Sequence, residues 1–215
     1  MEQTDQPIAA LFDLDGVVVD TEAQYTTFWA ALGRAYFGEE NFGLRIKGQT
    51  LPQIYARHFA DNPEARRDID ARLDVFERQM SFDYIPGVEA FMADLRRHGA
   101  RLAIVTSSNE EKMRFVYAAH PELTTMVDRI LTAEMFARSK PAPDCFLLGM
   151  ELLGTAPGRT FVFEDSFHGL QAGMDSGATV IGLATTNSRE AIAGKAHYII
   201  DDFTAMSYEK LLTLF

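Results

Sequence analysis

Two carboxylates one residue apart, Asp13 and Asp15, follow the apolar run Ile8-Ala9-Ala10-Leu11 and Phe12, and Gly16 comes directly after them. A short apolar run of this kind predicts a buried β-strand, and the glycine predicts a turn. In open α/β sheets, ligands bind outside the carboxyl ends of the strands. Two acids held there repel each other unless a proton or a cation intervenes, so the pattern points to chemistry. A solvated acidic turn would not need a hydrophobic strand aimed at it. A calcium loop of the EF-hand kind wants another oxygen ligand before its glycine.

Further polar clusters sit where apolar segments end. Arg101-Leu102-Ala103-Ile104-Val105 runs into Thr106-Ser107-Ser108, and Thr160-Phe161-Val162-Phe163 runs into Glu164-Asp165. Lys140 precedes Pro141-Ala142-Pro143, a helix-opening pattern. A doubly wound sheet would gather these points at one edge. The carboxylates Asp13 and Asp165 suit Mg²⁺, which shares substrate phosphate oxygens. The Thr106 hydroxyl and the amides opening the next helix suit phosphate. Lys140 adds a compact positive charge. Each piece alone has a plain structural use, as helix cap, turn or polar strand end. Their conjunction, each at a strand end or helix start, is the signal.

The elements that must position these residues are legible in the periodicity. Apolar residues spaced by three or four predict helices over about 21–37, 51–59 and 64–80. Tyr25, Phe28, Trp29 and Leu32 share one face of the first, and Ile69, Leu73 and Phe76 share one face of the last. A Gly-rich stretch, 38–50, separates the first two. Beyond Pro86-Gly87 the rhythm changes. Helices are predicted at 88–98, 110–119, 144–153 and 168–176, with a further helix at the C-terminus. They alternate with strands at 101–105, 129–131, 160–163, 179–183 and 197–200. Strands alternating with helices imply an α/β fold, a doubly wound parallel sheet covered on both faces. The helical block then interrupts the sheet after its first strand. The expected division is a discontinuous core, 1–21 with 84–215, and a helical cap, 22–83, over the strand ends.

Composition bounds the reading. The chain has 215 residues, 47% of them hydrophobic, and a formal charge of −11. A strongly acidic chain is a poor general binder of nucleic acid or anionic membrane, although local cations can still hold a small anion. The single cysteine, Cys145, cannot form an internal disulfide, which suits a reducing cytoplasm, and its apolar neighbours predict a packed thiol. Met1–Asp5 shows no basic and apolar leader pattern, and no apolar run has the length of a membrane span. Met150 and Met174 are expected in the core, Arg66 and Arg67 on a solvated face, and His168 in helix-start packing. The sequence leaves the oligomeric state open and is compatible with a monomer.

With these motifs in order, the sequence resembles the haloacid dehalogenase superfamily phosphohydrolases, in their β-phosphoglucomutase-like branch. Asp13-Leu14-Asp15-Gly16 is similar to the first family motif, Thr106 to the second, Lys140-Pro141 to the third and Glu164-Asp165 to the fourth. The resemblance implies that Asp13 is a nucleophile forming an aspartyl-phosphate and that Asp15 is the acid/base. It implies Mg²⁺ held by Asp13, the backbone carbonyl of Asp15 and Asp165, with Glu164 a further or outer ligand. Thr106, Lys140 and the Ser107 amide would neutralise the transferring phosphoryl group, with Ser108 alongside. Asp15 argues against dehalogenation, because the family's dehalogenases characteristically lack that second acid. The resemblance departs in the cap. Tyr25 stands where the mutase has a histidine, and Leu51 where it has an arginine, with Lys47 and Gln49 the nearby candidate substrate contacts. The expected activity is therefore a Mg²⁺-dependent phosphatase acting on a small phosphorylated metabolite, a sugar or polyol phosphate. The alternatives are a sugar-phosphate mutase and a non-catalytic phosphometabolite sensor.

Overall fold

A computed structural model of the chain describes residues 7–47 and 49–214, so Gly48 and the Met1–Asp5 leader reading lie outside the described residues. The first strand, β1 (Ala9–Phe12), is buried along its whole length. Only a strand covered on both faces can be this uniformly apolar, and β1 lies inside a parallel sheet. The other strands are β2 (Arg101–Val105), β3 (Arg129–Leu131), β4 (Thr160–Glu164), β5 (Thr179–Leu183) and β6 (Tyr198–Ile200). Their spatial order is β3-β2-β1-β4-β5-β6, all parallel. The chain moves outward from β1 in one direction, then returns to its other side at β4. The boundary between β1 and β4 is thus the topological switch point, where such sheets open a crevice. Phe12 pairs with Phe163 across that boundary, which sets Asp13 level with Glu164.

The chain divides into two compact units, one running to Asp20 and resuming at Asp83, the other Thr21–Phe82. In the sheet unit, alternate side chains serve opposite faces. Leu11, Val105, Val162 and Val180 share a core with Cys145, Phe146 and Met150 of one helix and Leu170 and Ala172 of another. On β1 and β4, the neighbouring positions Phe12 and Phe163 stack at 4.6 Å, with Phe91 edge-on to both and Phe203 tilted against them.

The Thr21–Phe82 unit holds helices α1 (Glu22–Phe37), α2 (Phe42–Arg45), α3 (Leu51–His58) and α4 (Pro63–Gln79). Its own core includes Trp29, Leu32, Phe42, Ile54, Phe59 and Ile69. Gly38 ends α1 in the left-handed region, φ 68°, which favours glycine. Thr50 and Gln53 form a capping box that opens α3. The Asn62 side chain caps α4, with Pro63 in its first turn.

The sheet unit adds α5 (Val88–Arg97), α6 (Glu110–Ala119), α7 (Leu123–Met126), α8 (Asp144–Leu153), α9 (Phe167–Asp175), α10 (Arg189–Ile192) and α11 (Tyr208–Leu212). The Gly-rich stretch contains α2, because buried Phe42 anchors a single helical turn there. Two expectations are corrected. Met174 is 39% exposed rather than in the core, since it lies on the outer face of α9. Arg66 is not simply solvated: its guanidinium donates to the carbonyls of Phe59 and Ala60, just past the end of α3. Among the described residues, no helix is long and apolar enough to cross a membrane.

Phe163→Ala removes the ring that joins the central strands. It should lower the unfolding free energy by about 3–5 kcal/mol, read from the urea midpoint and slope. A loss under about 1 kcal/mol would show that the aromatic stack is not the main packing of that face.

Candidate active site

Asp13 extends the β1–β4 ladder by one bond, its amide donating to the Phe163 carbonyl at 3.0 Å. Its carboxylate accepts from Lys140 Nζ at 2.5 Å. The same ammonium donates to Glu164 Oε1 at 2.7 Å and to the Val105 carbonyl at 3.2 Å. Lys140 thus ties together the ends of β1, β2 and β4. It reaches them from the loop before α8, where the Lys140–Pro141 peptide is cis, and its ammonium lies 5.0 Å from the Phe146 ring centre. Lys140, Asp13 and Glu164 are all buried.

Glu164 closes β4, and its second oxygen accepts from the amides of Asp165 and Ser166 at 2.9 and 3.0 Å and from the Ser166 hydroxyl at 3.1 Å. The neighbouring Asp165 carboxylate accepts from the Thr186 hydroxyl, and its backbone carbonyl accepts from Asn187 Nδ2 at 2.9 Å. Carboxylate oxygens of Asp13, Glu164 and Asp165 lie within 4.8 Å of one another. Gly16 makes this approach possible. Its φ is +76°, and a Cβ there would run into the Asp165 carboxylate. Gly169, in the first turn of α9, is similarly required, because a Cβ would strike the Glu164 carboxylate.

Burial pushes the Asp13 carboxyl up to about 7; Lys140 pulls against this, while Glu164 and Asp15 add to it. Burial works to lower Lys140, but Asp13 and Glu164 prevail and hold it above its ordinary value. The two shifts are consistent, because one ammonium answers several carboxylates. Lys140 is stabilised twice, whereas Asp13 gains one cation and faces two further anions. The donor set is hard oxygen with surplus negative charge, which fits a divalent metal ion. Burial also pushes the Cys145 thiol up to about 11, in keeping with a packed and unreactive thiol.

Asp15 turns to a second group. Its carboxylate accepts from Ser108 Oγ at 3.0 Å and, on both oxygens, from Lys112 Nζ at 2.6 Å. Thr106 is buried just past β2, its amide bonded to the Leu131 carbonyl at 2.9 Å and its hydroxyl accepting from the Ser108 amide at 3.0 Å. Ser107 lies between them. The helix cap is Asn109 rather than the Thr-Ser-Ser cluster itself, its side chain accepting from the Lys112 amide at 2.9 Å.

The structure therefore brings together Asp13, Asp15, Thr106, Ser108, Lys140, Glu164 and Asp165. Tyr25, Lys47 and Gln49 belong to the helical unit. There the Tyr25 hydroxyl donates to Glu77 at 2.8 Å, the Gln49 backbone N–H donates to the Ile46 carbonyl at 3.0 Å, and Lys47 lies partly buried in the turn after α2. Lys112, Thr186 and Asn187 were not singled out in the sequence. Thr186 and Asn187 follow the end of β5, so the strand-end rule applied once more would have found them.

A doubly wound parallel sheet whose switch point gathers acids from two strand ends around one buried lysine defines an α/β protein with a candidate catalytic site at those strand ends. The family model for haloacid dehalogenase-like hydrolases matches residues 9–177, and the chain belongs to that family. Hexitol phosphatase A of Escherichia coli (strain K12) is 35% identical over 183 residues, covering 80% of this chain and 81% of that protein. A β-phosphoglucomutase of Mycobacterium tuberculosis (strain CDC 1551 / Oshkosh) is 27% identical over 213 residues, covering 83% and 81%. The crystal structure of a family IA, variant 3 hydrolase from Entamoeba histolytica HM-1:IMSS shares the fold, with a TM-score of 0.84 at 20% identity, covering 96% of this chain and 98% of that one. As an enzyme, the chain stands with the phosphatases of its family.

Gly169→Ala should displace the Glu164 carboxylate and lower divalent-metal affinity by about 10-fold or more. Titration calorimetry reads the change. Unaltered affinity in a folded variant would detach Glu164 from the metal site.

Proposed function

We propose that this enzyme is a Mg²⁺-dependent phosphatase of a small phosphorylated metabolite, a sugar or polyol phosphate, working in the cytoplasm. The observation that carries the reading is Asp13 at the β1 end, held by Lys140 at 2.5 Å beside the acids that close β4. The substrate class is supported by the likeness to hexitol phosphatase A, and the compartment by the single, buried, unpaired thiol of Cys145.

Asp13 is the nucleophile. Its free oxygen forms a bond to phosphorus while the ester P–O bond breaks, and the electron pair leaves with the ester oxygen. Asp15 gives that oxygen a proton. Water then attacks the aspartyl-phosphate, Asp15 takes a proton from it, and the P–O bond to Asp13 breaks to release orthophosphate. Lys140 keeps the Asp13 carboxylate oriented, and Thr106 with the Ser107 amide receives the phosphoryl oxygens. Asp13, Asp165, the Asp15 carbonyl and Glu164, directly or through water, would hold Mg²⁺. When bound, the ion offsets the charge of phosphate and carboxylates as they approach.

The groups that receive phosphate cannot tell one ester from another. We assign that choice to the helical unit, with Lys47, Gln49 and Tyr25 as the candidate contacts. The mutase reading draws on the likeness to β-phosphoglucomutase; phosphate release against formation of an isomerised sugar phosphate separates the two. Turnover of an aryl phosphate separates both from a silent sensor.

Asp13→Asn should abolish turnover, by a factor of about 10³ or more, with the fold retained by circular dichroism. Full activity in that variant would exclude the covalent route. Chelation should abolish turnover, Mg²⁺ should restore it, and Ca²⁺ should inhibit, because its looser and longer oxygen shell misaligns Asp13. Undiminished phosphate release after exhaustive chelation would sink the metal requirement.

A further inference from the structure

Lys112 is a lysine where general principles disfavour one. It lies in the first turn of α6, where the helix dipole opposes a cation, and it is only 5% exposed, where an ammonium must be paired to be tolerated. The preceding acids do not account for it. Glu110 accepts from the Thr132 hydroxyl at 2.9 Å, and Glu111 faces solvent. Lys112 reaches away from α6 to bridge both carboxylate oxygens of Asp15 at 2.6 Å, from 97 positions further along the chain. Ser108 adds a bond to one of those oxygens at 3.0 Å.

We propose that Lys112, supported by Ser108, is the positioning residue that sets the orientation of Asp15 for both proton transfers. The proposal rests on the phosphatase reading above and adds to it a residue outside the family motifs. A carboxylate on one short side chain can rotate about its bonds, and a misplaced acid is an ineffective one. An ammonium shared by both oxygens removes that rotation. Lys112 itself keeps its protons throughout. In the first step Asp15, protonated on one oxygen and held by Lys112 through the other, gives its proton to the leaving oxygen; in the second the ionised Asp15, held by Lys112, takes one from water. Lys112 determines only where the Asp15 carboxyl stands.

Leaving-group chemistry tests this. Phenolate needs protonation to leave more than 4-nitrophenolate does, while the two phosphate esters are close in size. The measured quantity is kcat/KM for phenyl phosphate divided by that for 4-nitrophenyl phosphate, since kcat/KM reports the first phosphoryl transfer. Lys112→Met should lower this ratio by about 10-fold or more, and Lys112→Arg should restore it to within about 3-fold of wild type. Asp15→Asn should lower it likewise, and adding Lys112→Met to Asp15→Asn should change it by less than about 3-fold, since the two act as one unit. Should the Met variant not fold, Lys112→Gln, which keeps a donor without the charge, is read by the same ratio. Equal losses on both esters mark a merely structural lysine and overturn the proposal, as does a double variant whose effect is the product of the singles. A wild-type enzyme that turns over neither ester overturns the phosphatase reading, and this proposal with it.

Discussion

A lysine ammonium buried between carboxylates is stable only because each charge answers another. Lys140 contacts Asp13 and Glu164 with side chains almost wholly out of solvent. Removing one partner of such a group leaves an uncompensated buried charge, at a cost of about 3–5 kcal/mol. The arrangement requires three strand ends to meet within a few ångströms, so it makes the parallel register a condition of charge balance. A slip of β4 by one residue would exchange the inward and outward side chains and carry Glu164 away from the ammonium. The glycines obey the same demand, since Gly16 and Gly169 clear the space that two carboxylates occupy.

The site has two charge groups with different characters. Around Lys140, anions outnumber the cation, and Asp13 is held well above the ordinary carboxylate range. Around Asp15, a cation and a hydroxyl grip a single carboxylate. Two acids separated only by Leu14 thus meet opposite local balances. That separation gives similar side chains different work, one to bond to phosphorus and the other to move a proton. The β1 turn produces it by sending the two side chains toward different neighbours.

The sheet was legible in the sequence because its strands are short, apolar and bounded by polar ends, and because helices alternate with them. Arg129–Leu131 and Thr179–Leu183 could be read to the residue. Glu164 shows the limit of reading by polarity: it belongs to β4 as its last residue, although it looks like the start of a loop. The single-turn helices α2, α7 and α10 are too short to impose a period. Lys112 was hidden for another reason. Within Glu110-Glu111-Lys112 it reads as one more charge on a wet helix, and only the fold shows that Asp15 lies across from it. Thr186 was likewise indistinct, one polar residue after a strand, until Asp165 was seen to receive its hydroxyl.

The order of strands has a consequence for how the molecule is made. β1 precedes both of the strands it pairs with and lies between them in the sheet, yet those partners begin only at Arg101 and Thr160. Contacts between residues so far apart in sequence close large loops and form slowly. The Thr21–Phe82 unit, whose core is drawn from one continuous segment, has what it needs much earlier during synthesis. Until β4 arrives, a strand buried at every position lacks one of its two flanking strands. Asp13 and Asp15 are therefore synthesised early and organised late. A nascent chain stalled before residue 160 would carry an assembled helical unit together with an unfinished and aggregation-prone sheet.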